Sequence, residues 1–123
     1  MLFDKDKTTL ICCPRGKAGE YVVPDGITSI LGNSFSGCSL LTAVSIPEGV
    51  TDIGERAFDL CRGLESVSIP VSMADIGWYA FSHCEKLSSV VYSGNEAQWN
   101  ELKRHIDDTN DALFNADIYF GDL

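Results

Sequence analysis

The chain has 123 residues, 45% of them hydrophobic, which is enough for one domain with a continuous core. Eighteen acidic residues against nine basic give a net charge of −9. That balance disfavours nucleic-acid backbones and anionic membrane surfaces, which reward clustered Lys and Arg, and no stretch approaches the length of a membrane span.

Met1 to Phe3 and Thr8 to Cys12 are strand-like and flank a charged turn, Asp4 to Lys7, so the chain opens on a hairpin. The same charges stand where an export signal would need an apolar run. The expected location is therefore either the cell interior or, for a piece excised from a longer exported chain, the exterior. Pro14, Gly16 and Gly19 then break the chain.

A period of 23 residues follows. Pro24, Pro47 and Pro70 keep this spacing, as do Ile30, Ile53 and Ile76; Phe35, Phe58 and Phe81; Cys38, Cys61 and Cys84; Leu41, Leu64 and Leu87; and Val44, Val67 and Val90. A fixed period of this size predicts a solenoid whose units bury their apolar faces against one another. Within a unit, Val67 and Ile69 alternate with Ser66 and Ser68, the pattern of a half-buried strand. Pro70 ends that strand. Val71 to Ile76 is a short extended piece with Met73 and Ile76 inward, Gly77 allows a tight turn, and Trp78 to Cys84 form a short helical turn. Stacking makes the strands a parallel sheet and turns Phe35, Phe58 and Phe81 into an aromatic spine. The first unit departs at Leu31, where the others have Gly54 and Gly77, and at Ser34, where they have Ala57 and Ala80.

After Val90 the pattern fades. Tyr92 takes the column of Ile46 and Ile69, but Gly94 replaces the proline. Asn95 and Gln98 form a variant capping box for a helix whose Trp99, Leu102 and Ile106 share one face. Asp107 to Asp111 reads as a polar loop and Ile118 to Phe120 as a last strand. The expected organisation is one domain: an entry hairpin over 1–19, three repeats over 20–92 and a C-terminal cap over 93–123.

Candidate chemistry is sparse. Cys38, Cys61 and Cys84 stand in one column beside His83, a set that could suit zinc, but close CxxC pairs are absent and free Cys is commonly a small buried side chain. Parallel inward side chains do not favour disulfides between rungs. Cys12 and Cys13 alternate faces of a strand, so one is expected to be exposed. Arg15 and Lys17 are the nearest cations that could activate it. His83 reads as a turn residue, and His105 lies near a helix C-terminus, where a cation is favourable. No serine or cysteine has an oriented base, so no catalysis, metal or cofactor is expected.

The outward sheet positions are the default ligand face: Glu20, Val22, Ala43, Ser45, Ser66, Ser68, Ser89 and Val91. Small and hydroxyl-rich, this face suits an extended peptide or a glycan. Trp78 and Tyr79 stand where the second repeat has Glu55 and Arg56. They either pack against the cap helix near Trp99 or form an exposed aromatic contact.

The run Ser45-Ile46-Pro47-Glu48-Gly49-Val50-Thr51-Asp52-Ile53-Gly54-Glu55-Arg56-Ala57-Phe58 through Cys61 and Leu64 resembles the BspA-like leucine-rich repeat. Ile69-Pro70, Ile76-Gly77 and Ala80-Phe81-Ser82-His83-Cys84 match it again. Asp6 to Ile11 with Pro14 and Gly16-Lys17 looks like the family's entry segment. Tyr92 to Asn100 and Asn115 to Tyr119 look like its cap. The resemblance implies an α/β solenoid, a right-handed superhelix with a parallel sheet on one face and short helical turns on the other. It also implies a non-catalytic protein-interaction or adhesion module, typically on a bacterial surface, that binds a protein or glycan partner. The alternatives are a structural spacer or cap domain of a longer surface protein, and a cytoplasmic binding module.

Overall fold

The computed structural model describes residues 1–121, so the last two residues of the expected cap, 122 and 123, lie outside the described residues. The entry hairpin forms as the sequence predicts. Strand β1 (Leu2–Phe3) pairs antiparallel with β2 (Thr9–Cys12). Asp4 organises the turn by accepting from the amides of Thr9, at 3.0 Å, and Thr8, at 2.8 Å. Those donors, Thr9 first, hold its carboxyl below the usual aspartate range.

The chain then coils. Strands β3 (Gly19–Val22), β5 (Leu41–Ser45), β7 (Ser66–Ile69) and β9 (Ser89–Tyr92) alternate with the two-residue strands β4 (Ser29–Ile30), β6 (Asp52–Ile53) and β8 (Asp75–Ile76). Each coil supplies one strand to each of two sheets. The first sheet has the order β1-β2-β4-β6-β8, and the second runs β3-β5-β7-β9-β10, with β10 at Asp117–Phe120. Every pairing after the hairpin is parallel.

About four coils result, one more than the period displays. The extra one runs from β2 to β3, where Leu10 pairs with Ile30 and Tyr21 with Val44. Only eleven residues separate Leu10 from Tyr21, against fourteen between Ile30 and Val44, Ile53 and Val67, or Ile76 and Val90. The shortened turn breaks the period without breaking the register.

The side expected to carry short helical turns carries tighter turns instead. Asn33, Arg56 and Tyr79 sit at φ of 62, 60 and 57°, and Gly37, Leu60 and His83 at 78, 63 and 60°. Two left-handed residues per turn stop helical propagation. The turns still join rung to rung, because the Phe35 amide donates to the Ala57 carbonyl and the Phe58 amide to the Ala80 carbonyl, both at 2.7 Å. Glycine is required where this side is tightest: a methyl on Gly54 would collide with the amide nitrogen of Gly32, and one on Gly77 would lie 2.6 Å from that of Glu55.

The repeat columns form the core. Phe35, Phe58 and Phe81 are fully buried and stack with ring centres 4.6 and 5.1 Å apart and planes 13 and 6° from parallel. Ile30, Ile53, Ile76, Val44, Val67 and Val90 are buried beside them. At the C-terminal end, helix α1 (Glu96–Lys103) starts at the capping box of Asn95 and Gln98. It buries Trp99 and Leu102, with Ile106 just beyond it, and the Trp99 ring tilts onto Tyr92 at 5.1 Å.

Asp107 to Asp111 does not stay a loop. A 3-10 turn over Asp108–Asn110 leads into helix α2 (Asp111–Asn115). Asp107 starts it by accepting from the Thr109 amide at 2.8 Å, which holds the Asp107 carboxyl below its ordinary range.

Candidate functional site

The register of the second sheet lines the expected face residues into two rows. Glu20, Ala43, Ser66 and Ser89 pair successively in one, and Val22, Ser45, Ser68 and Val91 in the other. Between the rows Val44, Val67 and Val90 turn into the core. The cap extends both rows: Asp117 pairs with Ser89 and Tyr119 with Val91. The sequence reading missed these two because the step from Val90 to its partner Ile118 is 28 residues, off the period of 23. The surface has a floor of half-buried serines between exposed ends, Glu20 and Val22 at one and Asp117 and Tyr119 at the other. The Tyr119 ring is 55% exposed.

Trp78 and Tyr79 do not cover the last rung beneath α1. Trp78 is 60% exposed, and Trp99 packs on Tyr92 instead. The left-handed backbone of Tyr79 turns its ring alongside Arg56, whose guanidinium lies 4.5 Å from the ring centre. The task of closing the turn side falls to two polar side chains. Thr109 Oγ1 accepts from the Tyr79 amide at 2.9 Å, and Asn110 Oδ1 from the Phe81 amide at 3.0 Å. Asn110 Nδ2 donates to the Gly77 carbonyl at 3.1 Å. In the preceding rung the same amides, of Arg56 and Phe58, donate to backbone carbonyls of the next coil. Asn110 is fully buried and imitates an absent coil.

The thiol column has a structural use. The Cys61 thiol donates to the Phe35 carbonyl at 3.2 Å, and the Cys84 thiol to the Phe58 carbonyl at 3.1 Å. Burial pushes the Cys38 thiol up to about 12. The side-chain contact with Cys84, and then burial, push Cys61 further up. In the folded chain these thiols serve as buried hydrogen-bond donors to the carbonyls of the preceding rung. Of the adjacent pair, Cys12 is exposed and Cys13 buried, and all five cysteines are free.

His83 is a turn residue, and it brings one pairing that the sequence reading lacked. Its Nδ1 lies 3.1 Å from Asp59 Oδ1 and also 3.1 Å from Ser82 Oγ. Both partners meet the same ring nitrogen, so a proton cannot pass from the serine through the ring toward the carboxylate, as base-assisted nucleophilic attack requires. Arg56 completes the surroundings of the buried Asp59 at 3.6 Å. His105 follows the end of α1, with Nε2 3.5 Å from Glu101.

The architecture and its columns agree with the comparison to known families. The family model described as BspA type leucine rich repeat region (6 copies) matches residues 15–103. The chain belongs to the BspA-type leucine-rich repeat family. Among solved structures, this BspA-type chain is similar to a leucine-rich repeat protein from Eubacterium ventriosum, with 28% identity and a TM-score of 0.69 over 73% of this chain and 24% of that one. It is also similar to the T. pallidum leucine-rich repeat protein TpLRR, with 28% identity and a TM-score of 0.62 over 77% of this chain and 50% of that one. The pneumococcal vaccine antigen PcpA shares the fold, at 18% identity and a TM-score of 0.64 over 98% of this chain and 46% of that one. The chain thus spans half or less of the length of these structures. No curated protein matches it. The repeat family points to a protein-interaction or adhesion module and is typically non-enzymatic. No helix among the described residues is long and apolar enough to cross a membrane.

Proposed function

We propose that this domain is a non-catalytic binding module whose second sheet presents its outward rows to a protein partner. The observation that carries the reading is the continuity of those rows over five strands, from Glu20 and Val22 to Asp117 and Tyr119. Small hydroxyl side chains let an extended segment approach the sheet closely, and the exposed tyrosine offers an aromatic anchor at one end. Glycan hydroxyls could use the same floor, so the test includes both classes. The site holds no cofactor in this reading, and adhesion is the use the family suggests.

The test screens the purified chain against extracellular-matrix proteins and a glycan array, with Ser45, Ser66 and Ser68 replaced together by Lys as the control. Saturable binding to a protein, weakened at least tenfold in that variant while its thermal melt is unchanged, is the expected result. Binding that survives the three lysines would move the site off this face. Binding confined to glycans would replace the partner class. A well-folded chain that binds nothing would favour the spacer reading, which the edge of β3, with no partner strand on its outer side among the described residues, supports.

A further inference from the structure

The final rung is closed on two of its three sides. Strand β10 covers β9, and Thr109 and Asn110 satisfy the turn side. The first sheet ends on β8, which pairs with β6 and has no partner strand on its other side among the described residues. The rungs behind it show what a following strand would receive. The Thr51 carbonyl accepts from the amides of Ala74 and Asp75 at 2.8 and 3.2 Å, and the Ile53 carbonyl from that of Gly77 at 2.8 Å. One coil earlier, the Thr28 and Ile30 carbonyls accept from Thr51 and Gly54, both at 2.8 Å. In this register the carbonyls of Ala74 and Ile76 are the next acceptors, and no described residue donates to them.

The edge is open and flanked by depressions. One, of about 590 Å³, lies between the stretch around Met73 to Asp75 and the α1 residues Glu101 and Leu102. A second, of about 360 Å³, continues past Ile76 to Trp78 and Ile106. Asp75 and His105 line both, and Arg104 and Asp107 add one charge of each sign to the second. Charge decides what fits. In the row Ser29, Asp52, Asp75, the Asp52 carboxylate accepts from Ser29 Oγ at 2.8 Å and Thr51 Oγ1 at 3.1 Å. Ala74 stands in the column of Thr51, and the exposed Asp75 carboxylate has no hydrogen-bond donor or ion-pair partner among the described residues. Glu101 is engaged by Arg104 at 3.3 Å and His105 at 3.5 Å.

We propose that the open edge of β8 accepts an extended, positively charged peptide segment as an added parallel strand, with a Lys or Arg side chain against Asp75. The guest donates backbone N–H groups to the carbonyls of Ala74 and Ile76, as each coil does to the one before it. Its residue opposite Ile76 faces the depression that Ile106 and Trp78 also line. This site is separate from the serine face of the second sheet.

The test uses the full chain, labelled with nitrogen-15, and a blocked heptapeptide of alternating lysine and valine. Two control peptides carry glutamate for lysine, or N-methyl groups on alternate backbone nitrogens. The expected result is saturable amide shifts concentrated over residues 74–78, absent with both controls. Asp75→Lys should weaken the lysine peptide at least tenfold and gain the glutamate peptide, with the thermal melt unchanged. Shifts elsewhere, equal binding of the N-methylated peptide, or no binding of the lysine peptide would overturn the proposal. So would sedimentation showing a dimer whose edge amides at 74–78 are already paired between copies.

Discussion

Asn110 is the residue on which the last rung depends most directly. It sits fully buried with its amide oxygen on the Phe81 N–H and its amide nitrogen on the Gly77 carbonyl. Removing it strands the buried Phe81 amide, at a cost of about 1–3 kcal/mol, and the half-buried Gly77 carbonyl, at about 1 kcal/mol. Asn110→Ala is therefore expected to lose about 2–4 kcal/mol in urea unfolding by the same principle, while Thr109→Ala, at an exposed partner, loses about 1 kcal/mol. A loss for Asn110→Ala no larger than for Thr109→Ala would show that solvent replaces the cap. The sequence marks Asp107 to Asp111 only as a polar loop. What it did not offer was the burial, since an Asn in a run of acidic residues reads as solvated.

At the scale of the element, a rung sends its turn ring into the core and its alternate strand side chains outward. Phe58 is fully buried between two stacked rings, and Ser66 lies half-exposed on the outer row. Phe58→Ala is expected to cost about 3–5 kcal/mol, as for aromatic removal from a core, and Ser66→Ala within about 0.5 kcal/mol. Paired denaturation curves check this, and equal effects would contradict the assignment of Phe58 to the core and Ser66 to the outer row. The columns made that register legible, because a period-two strand allows only one assignment of faces once Val67 and Ile69 are inside. The turns were less legible. Arg56, Leu60, Tyr79 and His83 adopt left-handed backbone without being glycine, and only Asn33 and Gly37 in the first rung hint at it.

For the whole molecule, the buried thiols make stability depend on pH through their sum over several coils. Cys13, Cys38 and Cys61 are all raised, with burial leading for the first two and the Cys84 contact for the third. The folded chain then holds protons that the unfolded chain releases above its ordinary thiol range, near 8.5. Their stabilisation is complete below that pH and is lost as pH rises toward the folded values. Tyr21 and Tyr92, raised chiefly by burial, act in the same direction at higher pH. The expected outcome is a thermal midpoint steady up to pH 8 and falling from pH 9 to 11. Over the steady range only the exposed Cys12 should react with a thiol reagent, one equivalent per chain. Rapid titration of three or more thiols at pH 8 would mean the column opens.

The sequence by itself determined the solenoid, the core columns and the outward rows. A repeated unit must place repeated side chains in repeated surroundings, so periodicity alone carries that information. It also marked Asn95, Gln98 and Trp99 as the start of the closing helix, because capping is local. The tertiary structure decided what happens where the repetition stops. The entry coil is three residues short, β10 joins the second sheet at a spacing of 28, and Asn110 replaces a backbone coil with one side chain. Trp78 is exposed and β8 ends its sheet for the same reason. Closing a stack of rungs is a matter of contacts between segments distant in sequence, and no local period encodes which side of the last rung is covered.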